Sequence, residues 1–251
     1  MSSLTTSVAV FGCIFGGVLV GILGRTRLPD NQQTPETKEV VRLGMGLVGT
    51  MVALVLGLLI TSAKAFYETQ NNELTEAAAN TVLLDRILAH YGPETKESRA
   101  LLLRSIARQV DLIGRRDDSG GTQLRPTAPS SEVLFDRIQD LSPQTESQKL
   151  LQAQALGLAI KLGQIRWLMF AQKSSPLPTP LLAILVFWLT FLFMSFGLFV
   201  RPNATVVTSL FISALAVTGA VFLILEMYQP YAGLIHVSTA PLRAAMAQLG
   251  Q

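Results

Sequence analysis

Residues 43–63 read LGMGLVGTMVALVLGLLITSA and carry no charged side chain. As an α-helix this stretch is about 30 Å long, at ~1.5 Å rise per residue, which matches the hydrocarbon thickness of a bilayer. The helical pattern continues without proline or glycine from residue 64 to Tyr91. Gly92 then suits a C-terminal cap, and Pro93 prevents continuation. The stretch therefore predicts a membrane span that runs on into one long helix outside the membrane.

One face of this helix is small or polar. Its members recur at spacings of three or four residues and are Gly46, Thr50, Ala53, Gly57, Thr61 and Lys64. The opposite face is predicted to be bulky and apolar, with Leu47, Val52, Leu56 and Leu59. Such a bulky face suits lipid or another apolar helix. The small stripe has two interpretations, which are close packing against a neighbouring helix and the wall of a pore or cavity.

The composition indicates an integral membrane protein. Of 251 residues, 49% are hydrophobic and 15% are charged, and the mean hydropathy is +0.42. A typical soluble domain is less apolar and more highly charged. Basic residues at membrane edges explain the net charge of +3, and no basic block favours nucleic-acid binding. The one cysteine, Cys13, lies inside an apolar run and has no intramolecular disulfide partner.

Three further apolar segments have the length of a membrane span, at residues 5–24, 181–200 and 204–225. The first is not expected to be a signal peptide, because no positive residue precedes it and Arg25 follows it. Its glycine pairs would let a neighbouring helix approach closely. These pairs are Gly12 with Gly16 and Gly17 with Gly21. Four spans place both termini on the same side as the region between spans two and three.

This order predicts an all-α integral membrane protein with four transmembrane helices and a helical lobe between spans two and three. The predicted regions are a first transmembrane hairpin at 1–63, a helical extramembrane lobe at 64–179, a second transmembrane hairpin at 180–226 and an amphipathic tail at 227–251 on the lobe side. Within the lobe, apolar spacing predicts helices at 64–91, 94–114, 131–140 and 143–173, with a loop at 115–130. Ser142 and Pro143 are predicted to open the last of these helices.

The fourth span is rich in hydroxyl groups, at Thr205, Thr208, Ser209, Ser213 and Thr218. These hydroxyls can bond to the carbonyl one turn earlier in their own helix, or they can face a pore. Glu226 follows at the end of the span, where we expect an acid in interfacial water. In the tail, residues 241–249 are predicted to form a peripheral amphipathic helix.

The positive-inside rule does not orient the chain. Near the spans, the lobe side carries Lys64, Lys161, Arg166, Lys173 and Arg243. The other side carries Arg25, Arg27, Lys38, Arg42 and Arg201. Because these two sets are equal in number, the basic residues favour neither orientation.

The sequence contains none of the motifs that would indicate an enzyme. It has no phosphate-binding P-loop, no dinucleotide-binding glycine motif, no HExxH and no cysteine pair. Its two histidines, His90 and His236, are far apart in sequence. The spans also lack the buried acids or histidines of proton-coupled transporters. We therefore expect no catalytic residue, no metal site and no cofactor.

The order of spans, lobe and tail resembles the bestrophin anion channels and, more closely, the bacterial bestrophin-like domain family of unknown function. The matching stretches are ALVLGLLITSAKAFYETQ, LLDRILAHYGPE, LQAQALGLAIK, VFWLTFLFMSFGLFVRPNATVV and LEMYQPYAGLIHVSTAPLRAAMAQL. Together they cover nearly the whole chain.

This resemblance implies a homo-oligomeric ring, with five as the expected number of subunits, in a bacterial inner membrane. The second spans would line a central anion pathway for ions such as chloride, and the lobe and both termini would be cytoplasmic. Aligning Leu56 and Gly57 with the family's second span puts Thr50, Leu54 and Leu58 on an apolar neck. The resulting pore and neck candidates are Thr50, Leu54, Gly57, Leu58, Thr61 and Lys64.

The sequence departs from the family pattern at three places. Thr50 replaces an apolar neck residue, and Tyr67 lies about one turn later than the comparable aromatic residue. The acidic calcium clasp of animal bestrophins is missing, because residues 229–233 are followed by Leu-Ile-His rather than aspartates. We therefore expect no calcium gating. An alternative function is a membrane-anchored scaffold whose amphipathic lobe docks a partner.

Overall fold

The computed structural model describes residues 2–25, 34–114, 128–173, 179–200, 203–230 and 233–249. The helices are α1 (Ser3–Arg25), α2 (Pro35–Tyr91), α3 (Lys96–Gly114), α4 (Ala128–Gln139), α5 (Glu146–Lys173), α6 (Thr179–Phe199), α7 (Ala204–Met227) and α8 (Ala240–Gln248), with a 3₁₀ turn at Pro93–Thr95. No strand occurs in these described ranges. The predicted all-α fold class is confirmed.

Four of these helices, α1, α2, α6 and α7, are long and apolar enough to cross a membrane. They contain the four predicted spans, except that α6 ends at Phe199, one residue before the predicted end of the third span. Helix α2 is continuous over 57 residues, which confirms that the second span and the first lobe helix form one rod. It begins at Pro35, a residue that suits the first turn because its missing N–H needs no partner there. The linker before it, residues 26–33, lies outside the described residues.

The chain divides into two compact units, Met1–Phe66 with Pro176–Gln229 and Tyr67–Ser175 with Pro230–Gln251. Each unit has its own hydrophobic core. We call the first the span unit and the second the lobe unit. Compactness does not measure independent folding, so the domain boundaries drawn from the sequence remain a prediction.

In the span unit, α1 packs along α6 and α7. A Cβ atom at Gly17 would lie 2.8 Å from the carbonyl oxygen of Thr190, and one at Gly21 would overlap the carbonyl of Met194. These glycines therefore bring the backbones of α1 and α6 together, as the second glycine pair predicted. The first pair does not act in this way, since a Cβ atom at Gly12 or Gly16 meets nothing within 4 Å.

The end of α2 is fixed by a glycine turn in the lobe unit. Gly92 has φ of 143°, a backbone conformation that favours glycine, so the predicted stop at this residue is confirmed. Thr95 Oγ1 donates to the carbonyl of Leu88 at 2.6 Å. Gln148 Nε2 donates to the carbonyl of Tyr91 at 3.1 Å. These bonds satisfy carbonyls that the helix end leaves without an intrahelical partner.

Two predicted element boundaries in the lobe unit are wrong. Helix α5 begins at Glu146 rather than after Ser142 and Pro143. The cap is Thr145, whose Oγ1 accepts a hydrogen bond from the backbone N–H of Gln148 at 3.1 Å. Helix α4 begins at Ala128, inside the predicted loop. The rest of that loop, residues 115–127, lies outside the described residues.

The tail returns to the lobe unit. Helix α8 covers the predicted amphipathic segment except its last residue, Leu249, and it packs against α3. Leu242 and Ala245 are buried in the lobe core, as is Val237 before the helix. The hydroxyl of Tyr67 donates to the carbonyl of His236 at 3.3 Å. These contacts attach the tail to the lobe core through one face of a short helix.

Candidate functional site

The pore and neck candidates of α2 all lie on its exposed side. Leu54 is 70% exposed and Leu58 is 62% exposed. The others, Thr50, Gly57, Thr61 and Lys64, are also exposed. We call these six residues the open face of α2. They share one side because of the helical repeat of α2, and from Thr50 to Lys64 they extend over about 21 Å at ~1.5 Å per residue.

The opposite side of α2 packs into its own subunit. Val52, Leu59 and Ala63 are 8%, 2% and 0% exposed and belong to the span-unit core. At ~100° per residue, these three residues are centred about 180° from the middle of the open face. The predicted bulky face is therefore correct for Val52 and Leu59. It is wrong for Leu47, which is 64% exposed, because this residue is rotated towards the open face.

The two threonine hydroxyls of the open face are bonded within the helix. Thr50 Oγ1 donates to the carbonyl of Leu47 at 2.7 Å, and Thr61 Oγ1 donates to the carbonyl of Gly57 at 2.9 Å. In this state each hydroxyl presents oxygen lone pairs outwards, which are acceptors. Anions accept hydrogen bonds, so neither hydroxyl could donate to an anion without first rotating about its side-chain torsion.

Tyr228, just after α7, holds α2 from the buried side. Its hydroxyl lies 3.0 Å from Ser62 Oγ. Its ring stacks on Phe66 with centroids 5.3 Å apart and planes at 26°. Ser62 and Phe66 are one turn apart and so share a face. Sequence reasoning gave Tyr228 no role, although it lies in the stretch EMYQPY that carried the family resemblance.

Glu226 is buried rather than in interfacial water. It is only 2% exposed, and Ser3 Oγ donates a hydrogen bond to its carboxylate. A buried carboxylate needs such donors, because burial removes its hydrating water. The expectation of a solvated acid is therefore wrong. Only the fold reveals the contact, since the two residues are 223 positions apart in the chain.

The hydroxyls of α7 differ from one another. Thr205, Thr208, Ser209 and Ser213 are exposed and line a shallow surface groove with Ala204 and Ile212. Thr218 is only 7% exposed, and its hydroxyl has no hydrogen-bond partner among the described residues. The interpretation that each hydroxyl bonds to a carbonyl of its own helix is therefore wrong for Thr218.

In the lobe unit a largely enclosed ion pair joins α2 to α3. Arg99 donates from Nε and Nη2 to the two carboxylate oxygens of Asp85, at 2.7 and 2.8 Å. Asp85 is 2% exposed. These hydrogen bonds raise the pKa of Arg99, and the charge of Asp85 acts in the same direction against the effect of burial. Asp85 therefore has a partner that explains its burial without catalysis.

A family model described as "Bestrophin-like domain" matches residues 12–242, which is nearly the whole chain. The chain belongs to the bestrophin-like family. The matched range includes all of α2, the buried Glu226 and the Tyr228 contact. The resemblance drawn from the sequence is thereby confirmed.

A solved structure supports the same fold for this bestrophin-like chain. It is a single-substitution variant of a bacterial bestrophin homologue from Klebsiella pneumoniae. The TM-score is 0.64 at 16% sequence identity, covering 96% of this chain and 99% of the other. At that identity the similarity concerns the fold alone. No curated protein matches the sequence.

The bestrophin-like chain offers no evident metal site in the ranges given above. Among the described residues, no group of three histidine, cysteine, aspartate or glutamate side chains could hold a metal ion. The absence of calcium gating nevertheless stays a prediction, since the tail segment that would carry a clasp includes residues 231–232, which lie outside the description.

Proposed function

We propose that this bestrophin-like chain forms a homo-oligomeric ring, with five subunits expected, that conducts anions such as chloride. The open face of α2 lines the central pathway. The observation that carries the proposal is the burial of α2. Only 11% of its apolar 18-residue stretch is buried within the chain, against 33% of the corresponding stretch in α1, 28% in α6 and 22% in α7. The second span therefore has more surface left for partners than any other described span.

The chemistry of the open face separates a pore from a lipid contact. Exposed leucines alone fit a surface against lipid, because lipid tails are as apolar as leucine. Helix α6 shows such a surface, with Ile184, Phe187 and Phe191 exposed. The exposed side of α2 instead combines leucines with threonines, a glycine and Lys64. Polar and small residues at membrane depth favour protein contacts or water.

The proposed mechanism is gating by dewetting. Leu54 and Leu58 are one turn apart, so a ring of α2 helices would place two layers of leucine around the axis. Such an apolar constriction empties of water when it is narrow and admits ions when it widens. Lys64, at one end of the same face, supplies a positive charge that attracts anions. No chemical step is involved.

The experiment is to record currents from purified protein in planar bilayers. Wild-type protein should conduct chloride. Leu54→Ala and Leu58→Ala should each raise conductance or open probability, because a smaller side chain keeps the constriction wet. The matched control is Leu215→Ala on α7, a leucine that is 55% exposed, and it should leave the current unchanged.

The outcomes test separate parts of the proposal. Unchanged currents in both α2 variants would reject the neck residues. A wild-type protein that never conducts would reject the channel. A monomer or dimer in detergent would leave no ring for a central pore, and a low-resolution particle average would show ring symmetry and any central hole directly. Protease access from the two sides of vesicles would test the proposed cytoplasmic lobe and termini.

A membrane-anchored scaffold is the second candidate function. It is favoured by exposed apolar side chains on α5, where Ile160 is 50%, Trp167 is 59% and Leu168 is 50% exposed. These residues line a surface groove with Gly163, Gln164 and Ala171. Outside a membrane, such a patch favours protein contacts. Substituting Leu168 by serine should abolish partner binding if the chain is a scaffold, and ring assembly by mass would argue against that function.

A further inference from the structure

A cleft inside the lobe unit combines an apolar floor with a polar rim. It lies between α3 and α5, is partly open to solvent and has a cavity volume of about 30 Å³. Its floor is formed by Ala77, Leu102, Ile106, Leu134 and Met169, which are all buried. Its rim carries Ser105 and Gln109 from α3 and Arg166 from α5. This is the composition of a small-molecule site, an apolar cavity with few polar groups.

The polar rim has donors that no described residue uses. Arg166 and Gln109 have no hydrogen bond or ion pair in the described part of the chain. Ser105 is different, since its Oγ donates to the carbonyl of Leu102 at 2.8 Å. The rim therefore offers the planar fork of one guanidinium and the amide of one glutamine to a ligand.

Arg166 is also partly removed from water. Burial lowers the pKa of Arg166, since it disfavours the charged form. An anion in the cleft would offset this effect and accept the unused N–H groups. Another arginine of the lobe unit, Arg99, already has such an anionic partner in Asp85.

We propose that this cleft binds a small carboxylate, held by Arg166 and Gln109, with its short apolar tail on the cleft floor. Two carboxylate oxygens match the guanidinium fork, and the apolar floor accepts a hydrocarbon chain. Inorganic phosphate fits less well, because it has more charged oxygens than one arginine and one amide can satisfy. Chloride is spherical and uses neither the fork nor the floor. The site shares no residue with the open face of α2 and does not rest on the proposed channel.

The test uses the full chain in detergent, with sodium propionate as the probe. Binding is measured by isothermal titration calorimetry and by the shift in melting temperature, at constant ionic strength. Propionamide has the same shape without charge, and chloride and phosphate are charged without a tail. The wild-type protein should bind propionate saturably and at least about tenfold more tightly than these three.

Two variants with matched chemistry assign the site. Arg166→Met keeps a long side chain suited to the apolar cleft, so the lobe should remain folded, and it should weaken propionate binding about tenfold or more. Arg108→Met removes a charge from the exposed side of α3 and should leave binding unchanged. Gln109→Leu should weaken binding by less than the arginine variant.

Each alternative result overturns the proposal. Equal binding of propionamide or chloride would reject recognition of a carboxylate. Equal binding by Arg166→Met and wild type would place propionate elsewhere. If Arg166→Met does not fold, Arg166→Lys keeps the charge without the fork and should still weaken propionate binding. The absence of both a binding heat and a melting shift in wild-type protein at tens of millimolar propionate would reject the site.

Discussion

Replacing Asp85 by asparagine tests how strongly one buried ion pair stabilises the lobe. The side chain of Asp85 is 3% exposed, and that of its partner Arg99 is 22% exposed. Asparagine keeps the shape of the side chain but removes its charge. The guanidinium of Arg99 is then left without its counter-ion in a site that is mostly shielded from water. Such an uncompensated charge is the main cost of breaking a buried pair.

A second ion pair in the same unit provides the comparison. Arg137 and Glu97 lie 2.6 Å apart, closer than Arg99 and Asp85 at 2.7 Å, but their side chains are 48% and 66% exposed. Water and salt screen the exposed pair, so its contribution is about 0–1 kcal/mol. Breaking a fully buried pair costs ~3–5 kcal/mol, and the partial exposure of Arg99 reduces this to about 2–3 kcal/mol. Burial, rather than distance, should decide which pair contributes more.

The assay is thermal unfolding of the full chain in detergent, combined with hydrogen exchange of α2 and α3. For a chain of this size, each kcal/mol shifts the melting temperature by roughly 2–4 °C. Asp85→Asn should therefore lower it by roughly 5–10 °C and speed exchange at the α2–α3 contact. Glu97→Gln should lower it by about 4 °C or less. Equal losses in the two variants, or a larger loss from Glu97→Gln, would refute the argument from burial.

Three further substitutions have expected signs. Tyr91→Phe should match or exceed wild-type stability at neutral pH, because the buried hydroxyl has no partner among the described residues. Burial, and then the charge of Glu94, raise the pKa of Tyr91 above 10.0, so the wild-type protein should lose stability relative to the variant only as pH rises above about 10 in alkaline melting curves. Thr218→Val should stabilise the protein by about 1 kcal/mol. Thr190→Val should not stabilise it, because it removes a hydroxyl that is bonded to the carbonyl of Val186 at 2.7 Å. Unfolding in detergent can compare the two variants. Gly21→Ala should destabilise the protein, because the new Cβ atom would overlap the Met194 carbonyl. The same change at the open Gly16 should stabilise it by up to about 1 kcal/mol. Melting temperatures that change in the same direction in both variants would contradict the packing argument.

The helices were predictable because local signals determine them. Apolar runs of span length gave the four membrane helices, and the Gly92–Pro93 stop gave the end of α2. The start of α5 was missed because two capping signals compete within a few residues. Ser142 precedes a proline, as at many helix starts, but Thr145 with Gln148 three residues later forms the better N-terminal cap. Sequence spacing alone does not rank such neighbours.

Long-range contacts were not predictable from one sequence. Hydropathy places Glu226 at the edge of a span, but in the fold it is buried and accepts a hydrogen bond from Ser3 at the other end of the chain. The Tyr228 contacts with Ser62 and Phe66 likewise join residues more than 160 positions apart. The open face of α2 was found because it depends on helical periodicity, a local property. Whether that face lines a pore depends on other subunits and stays a proposal.

The glycines of this chain provide a further argument for a partner on the open side of α2. Glycine in a helix costs about 1 kcal/mol relative to alanine unless close packing compensates. In α1, Gly17 and Gly21 are compensated, since α6 approaches their backbone, whereas Gly12 and Gly16 are as open as the glycines of α2. In α2, Gly46 and Gly57 meet nothing within 4 Å. Lipid tails gain little from such a notch, whereas a neighbouring helix gains close contact. In the proposed ring, Gly46 and Gly57 would let a second copy of the chain pack along one edge of α2, and Leu54 and Leu58 beside that edge would then face the axis.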